Sequence, residues 1–322
     1  MKTAVPVLWI LYFLTFPSLL SGQAEVFDLT DFELRGPVQS CTVITDYGEE
    51  RFEFDREGKL TKSLTRYNDS DYDITYYKYL GEELAEKRDE VYRNGTFDES
   101  TSFARFYRRD TLQGTKVVEK ITSYDQKILE QITYQYDTIG RLQQVSRVHD
   151  QGVDQTEVRY SSYRQEQTAE YFLNGQLQKS ERISAGQDKN GPLKISLLKE
   201  FYQDTPQRAL ERTSDSLDRV LSEVHFTFDA DNKTFRKAES HVYSYNEDGF
   251  LSGEQIVYYR ENAPNAVADR IEEITYIYQQ DGKTPGNWIR KVVTPENSFT
   301  TRRISYYPPE SGMVKDSMPN KG

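Results

Sequence analysis

The stretch ITYQYDTIGRL, Ile132 to Leu142, restricts what this chain can fold into more than any other. Its side chains alternate: Ile132, Tyr134 and Tyr136 point one way, Thr133 and Gln135 the other. A period of two marks a strand with one buried face. Aromatic and β-branched residues suit that surface. Asp137-Thr138-Ile139-Gly140 follows. An aspartate at the first turn position accepts from backbone N–H groups ahead of it, and a glycine at the last supplies a positive φ. Arg141 and Leu142 open a return strand, so the unit reads as a β-hairpin.

Looser copies recur. Phe52-Glu53-Phe54-Asp55 leads to Gly58, Lys59 and Leu60; Phe226-Thr227-Phe228-Asp229 leads to Asp231-Asn232-Lys233. Tyr243-Ser244-Tyr245-Asn246 leads to Asp248-Gly249-Phe250-Leu251, and Tyr276-Ile277-Tyr278-Gln279 to Asp281-Gly282-Lys283. Degenerate copies sit at Tyr124-Asp125 and from Asp215 to Val220. Their irregular spacing excludes a strict solenoid period. The fold expected is all-β: an antiparallel meander of hairpin repeats, forming a twisted or partly rolled sheet over residues 23–307.

The segment Tyr134 to Leu142 resembles the YD repeat of RHS-type proteins, whose core is Tyr-Asp, two residues, then Gly-Arg-Leu. Tyr134, Tyr136, Asp137, Gly140 and Leu142 carry the match. Elsewhere Arg gives way to Lys59 or Phe250, and Asp to Asn246 or Gln279. The resemblance implies long antiparallel sheets, which in large members curl into a shell around a toxic C-terminal domain. At 322 residues, with no toxin-like tail, this chain fits the fold implication better than the functional one.

Residues 1–22 read as a secretory signal peptide: Lys2 is the positive n-region, Ala4 to Leu20 is nearly all apolar, and Ser21-Gly22 supply small residues for cleavage. The apolar run is short for a span and is interrupted by Pro6 and Pro17, so no stable membrane span is expected after cleavage. Cys41 is the only cysteine, so an exported chain must fold without an internal disulfide. It reads as a small buried side chain in a first strand. With 36% hydrophobic residues but 24 Tyr, the buried area must come largely from tyrosine. A net charge of -11 argues against nucleic acid and anionic membrane surfaces.

Glu82 to Val91 has helix-favouring composition, but Gly81 and Asn94-Gly95 bracket it like hairpin turns, and strands are expected. Ser184 to Pro192 reads as a loop, and a division into two domains would fall there. Ala209 to Val224 carries a helical face (Leu210, Leu217, Leu221, Val224), yet Asp215 to Val220 aligns with Asp137 to Leu142, which favours strand–turn–strand. Asn262 to Ala268 reads as a loop, and residues 308–322 as a disordered tail.

No catalytic, metal or cofactor set emerges. His149, His225 and His241 form no ligand or triad pattern. Asp69, Asp71 and Asp73 have the spacing of a calcium loop's first ligands, but Ile74 stands where the glycine belongs and Leu80 where the glutamate belongs. Carboxylate pairs such as Glu272-Glu273 are too common among 52 acidic residues to single out. Asp-Ser/Thr-apolar triplets at Asp110, Asp137, Asp215 and Asp316 resemble the acceptor pattern of a bacterial envelope O-glycosylation system. The tyrosines read mainly as strand fillers. Tyr77, Tyr79, Tyr258, Tyr259 and Trp288 are the candidate binding residues, as exposed stacking platforms. The function expected is a non-enzymatic scaffold or interaction module, exported to the periplasm, surface or medium, with an envelope protein as partner. The alternative is carbohydrate binding through tyrosine platforms, with a glycan as partner.

Overall fold

A computed structural model describes residues 26–111, 115–260, 266–279 and 286–308. The expected signal peptide, the expected tail beyond 308, most of the loop expected at Asn262–Ala268 and the turn expected from Asp281 to Lys283 lie outside the described residues. So does the Asp316 triplet.

The strands are β1 (Val38–Thr45), β2 (Gly48–Phe54), β3 (Leu60–Arg66), β4 (Tyr72–Leu80), β5 (Glu83–Arg93), β6 (Thr96–Phe97) and β7 (Phe103–Asp110). They continue as β8 (Lys116–Ser123), β9 (Ile128–Tyr136), β10 (Leu142–His149), β11 (Gly152–Tyr163), β12 (Glu166–Leu173), β13 (Gln176–Asp188) and β14 (Gly191–Tyr202). The last are β15 (Thr205–Ser214), β16 (Val220–Asp229), β17 (Thr234–Tyr245), β18 (Leu251–Tyr259), β19 (Ala268–Tyr278), β20 (Trp288–Thr294) and β21 (Ser298–Tyr306). Each pairs antiparallel with its neighbours, and β1 pairs with β2 on one side and β21 on the other. The two-residue β6 pairs with the end of β5, while the ladder passes directly from β5 to β7. Twenty strands therefore close into a barrel. At roughly 4.8 Å per strand the perimeter is on the order of 100 Å and the diameter roughly 30 Å.

The sheet expected to be twisted or partly rolled is fully closed. Bulges supply a physical reason. A one-residue register shift sits beside five of the repeat turns: at Glu53/Phe54, Leu142/Gln144, Thr213/Ser214, Ser244/Tyr245 and Ile277/Tyr278. Each bulge bends its strand and increases local twist, and repeated curvature of one hand closes a sheet.

The repeat turns share one construction. Asp137 Oδ1 accepts from Ile139 N at 3.1 Å and Arg141 N at 2.8 Å, while Oδ2 accepts from Arg141 Nε at 2.8 Å. Asp215 repeats all three contacts with Leu217 and Arg219. Gly140 has φ 84°; its counterpart is Asp218 at φ 57°. The arginine then stacks on a tyrosine of the following hairpin: Arg141 on Tyr160 at 4.4 Å and Arg219 on Tyr245 at 5.1 Å. Tyr160 and Tyr245 donate to Leu142 O and Val220 O, each at 2.8 Å. Strand–turn–strand over 209–224 and a strand over 82–91 are both observed. The loop expected at 184–192 is instead the tip of the long β13–β14 hairpin, paired out to Asp188↔Gly191. Its polar residues are solvated strand rather than loop, because neither face of the sheet demands apolar side chains.

The ladder registers sort the strand residues onto two faces, and each face matches up across the β1–β21 seam. One carries Cys41, Glu119, Tyr134, Val158, Glu181, Tyr243, Ile274 and Arg302. The N-terminal segment lies on this face. Phe27 meets Tyr77 of β4 at 5.6 Å, and Glu33 accepts from Trp288 of β20. Those strands are five spacings apart, about 24 Å of sheet. Seven residues that include a 3-10 turn (Leu29–Phe32) span less than that, so the segment takes a chord across the concave side. That face is the inner one. Leu34, Val38, Cys41, Phe54 and Leu60 form the apolar core beneath the segment. The outer face carries Arg51, Lys62, Arg88, Arg108, Lys120, Arg159 and Arg182 at mid-strand positions.

Candidate functional site

The inner wall is built from tyrosine–carboxylate sets. Glu119 on β8, its side chain 5% exposed, accepts from Tyr134 Oη at 2.9 Å, Tyr107 Oη at 3.4 Å and Arg105 Nη1 at 3.3 Å. Glu223 on β16 accepts from Tyr243 Oη at 3.0 Å and from Arg212 Nε. Glu254 on β18 accepts from Tyr276 Oη at 3.4 Å, and Glu272 on β19 from Tyr258 Oη at 3.4 Å, with Arg270 alongside at 3.1 Å. The cause is register: an inner-face acid faces an inner-face tyrosine on an adjacent strand, as in Tyr107↔Glu119. Burial, reinforced by the glutamate beside each, pushes the hydroxyls of Tyr134, Tyr243 and Tyr276 far up, so they stay protonated donors.

His241 lies between two of these acids. Its Nδ1 is 2.7 Å from Glu254 Oε1, and its Nε2 bonds Glu239. Burial opposes a charge here, but hydrogen bonds to Glu239 and Glu254 outweigh it and raise the imidazole to about 9. His225, 5.6 Å away ring to ring, is pushed down by burial. Glu181 is raised by burial. The sets give a rigid polar wall. The two acids flanking His241 are engaged with the imidazole, an arrangement unlike the facing acid and base of a glycosidase.

The five sequence candidates do not form one platform. Trp288 is 6% exposed, under the Arg302 guanidinium at 3.5 Å, with its Nε1 donating to Glu33 Oε2. Tyr77 packs on Phe27, and Tyr79 Oη reaches Phe27 O at 3.5 Å. These three expected surface rings instead seat the N-terminal segment, which covers them. Tyr258 faces inward under Arg270 at 4.2 Å, and Tyr259 faces outward, bonded to Ser240 at 3.0 Å.

Sequence reasoning missed Glu33, Arg302 and the His241 cluster. The Glu239-x-His241 spacing was the available signal, since i and i+2 share a strand face. Cys41 is buried, and burial pushes its thiol up to about 11, which suits a packing role. The acidic turn is tied up internally. Asp71 accepts from Asn68 Nδ2 and Asn94 N, and Asp73 from Tyr67 Oη and Arg93. Among the described residues, no group of three or more His, Cys, Asp or Glu is placed to hold a metal ion. No helix among them is long and apolar enough to cross a membrane.

No protein-family profile matches the chain, and no curated protein matches it. Solved structures similar in course include three from Bacteroides. A porin-like protein from Bacteroides uniformis is 9% identical over 84% of this chain and 98% of its own, with a TM-score of 0.33. A porin-like protein from Bacteroides vulgatus is 12% identical over 84% and 99%, TM-score 0.28. A protein of unknown function from Bacteroides fragilis is 11% identical over 53% and 91%, TM-score 0.18.

Proposed function

We propose that this chain is an exported, non-enzymatic β-barrel of the bacterial cell envelope that stays outside the lipid and serves as a scaffold or interaction module. The observation that carries the reading is charge on both faces of a closed ladder. A barrel immersed in lipid needs a continuous apolar outer band, and an Arg or Lys there costs about 2–4 kcal/mol near the midplane. The outer face carries Arg51, Lys62, Arg88, Arg108, Lys120, Arg159 and Arg182 mid-strand, together with Glu53, Glu90 and Glu170. Seven such cations would cost more than a domain's whole stability of about 5–15 kcal/mol. The inner face, with Arg105, Glu119 and Glu223, is no better suited to lipid. The leader supports export, and the shared turn construction supports kinship with YD-repeat sheets.

Closure changes how such a scaffold can make contacts. Because β1 and β21 pair with each other, strand addition to an open sheet edge is replaced by contacts through rims and faces. Trp288 is buried, and Tyr77 and Tyr79 are half-buried against Phe27, which disfavours the tyrosine-platform alternative. The test is fractionation of the full-length chain from a bacterial host. We expect the processed protein in the soluble fraction without detergent, eluting as a folded β protein. Recovery only from detergent-solubilised membranes would overturn the reading.

A further inference from the structure

Outside the inner wall, a cavity lies across β10, β11 and β12, with a volume of about 620 Å³. That is the range of small-ligand sites, about 300–1,000 Å³. Gln144, Gln155, Glu157 and Phe172 reach it from the outer face, and Asn174 closes one end. Three properties of this lining define what it could hold.

The groove is electrically balanced. Glu157 is held by Arg159 through two parallel bonds, Nε to Oε1 at 3.0 Å and Nη2 to Oε2 at 2.8 Å. The same guanidinium stacks on the Phe172 ring at 4.2 Å. With its one carboxylate neutralised in place, the groove selects neither an anion nor a cation.

It offers amides. Among the described residues, the side-chain amides of Gln144 and Gln155 make no hydrogen bond within the protein. A primary amide presents two donors and an acceptor, which matches a hydroxyl that both gives and takes a hydrogen bond. Glu157 adds acceptor capacity, and Phe172 and Val153 add apolar surface for C–H groups.

Its end wall is rigid. Asn174, in the left-handed region at φ 49°, accepts from Gln155 N at 2.9 Å and donates to Asp154 at 2.8 Å. These bonds tie the β12–β13 turn to β11, so the groove exists without a ligand to shape it. Preorganisation of this kind lowers the entropic cost of binding. An extended peptide would look for unpaired backbone, and β10, β11 and β12 are each paired on both sides.

We infer that this groove is a binding site for a neutral saccharide chain, read by Gln144, Gln155 and the Glu157–Arg159 pair. The inference goes beyond the scaffold reading and does not depend on where the protein resides. It uses none of the tyrosines singled out in the sequence.

The experiment is calorimetric titration of the full processed chain with maltohexaose, cellohexaose, xylohexaose, mannohexaose and chitohexaose. The expected result is saturable binding of at least one of them. Gln155→Ala and Glu157→Ala should each weaken that binding by roughly fivefold or more, the loss of about one hydrogen bond. Gln255→Ala, on the outer face of β18, should leave it unchanged. Unaltered circular dichroism and unfolding midpoints keep the variants interpretable. No binding of any of the five at about 10 mM would overturn the inference. So would binding indifferent to both groove variants, or saturable binding of a neutral hexapeptide at the groove instead.

Discussion

Trp288 Nε1 donates a hydrogen bond to Glu33 Oε2 at 2.8 Å, across 255 residues of sequence. The pair locks the N-terminal segment onto the seam-side strands. Arg302 lies over the indole with its Nη2 3.9 Å from the same carboxylate, while its Nε and Nη1 are buried with no hydrogen-bond partner among the described residues. Burial lowers the guanidinium's hold on its charge, and Glu33 helps restore it.

Removing Glu33 should therefore leave a buried cation without its carboxylate and an indole N–H without its acceptor. Glu33→Ala is expected to cost about 2–3 kcal/mol. Glu33→Gln, which keeps an acceptor but not the charge, should cost less. Trp288 is the only tryptophan beyond residue 22, so urea unfolding of a chain starting at residue 23, followed by its emission, reads the effect directly. Two variants as stable as the parent would mean that the segment is not held by this contact.

The repeat turns give a second prediction. Asp137 and Asp215 each satisfy two backbone N–H groups and an arginine. Asp137→Ala should destabilise by about 1–2 kcal/mol, and Asp137→Asn by less, since an amide oxygen can still accept. Asn246 already does this toward Phe250 N at 2.8 Å. In contrast, Asp218→Gly should stabilise by about 0.5–1 kcal/mol, because φ 57° suits glycine better than aspartate. Only an exposed ion pair to Lys194 is lost in exchange. Denaturation midpoints of the three variants, ranked in that order, check the shared construction.

Those turns are also where the sequence was most legible. Alternation of Ile132, Tyr134 and Tyr136 and the Asp-to-Gly spacing are local signals, and the local geometry obeys them. Closure was not legible, because the seam joins Cys41 to Ile304 and depends on curvature accumulated over twenty strands. Neither face is apolar enough for its pattern to say which way the sheet bends. Trp288 misled for a related reason. Its burial comes from Glu33 and Arg302, which are remote in sequence, so nothing near residue 288 announces it.

His241 should make stability depend on pH on the alkaline side. Its ordinary value is 6.5, and in the folded barrel it is raised to about 9. A raised folded value stabilises fully below 6.5 and is lost as pH climbs through 9. The advantage of the parent over His241→Gln should be greatest near pH 6 and shrink steadily up to pH 9. Unfolding midpoints at pH 6, 7.5 and 9 check the sign. An advantage that grows with pH would show that His241 is neutral between its two glutamates.

The seam itself can be tested chemically. Ser40 on β1 and Ser305 on β21 are register partners with their hydroxyls 2.7 Å apart on the exposed face. Facing β-carbons at that separation fall within reach of a disulfide, which needs Cβ atoms about 3.5–4.5 Å apart. The double variant Ser40→Cys, Ser305→Cys should crosslink under mild oxidation and migrate faster on a non-reducing gel. Native Cys41 is buried on the opposite face of its strand with its thiol held protonated, so it should not compete. Each single variant serves as the control. A long closed loop of this kind should also raise the unfolding midpoint, since it restricts the unfolded chain by about 4 kcal/mol or more. An open sheet would hold residues 40 and 305 far apart, and the double variant would then stay reduced or form only intermolecular dimers.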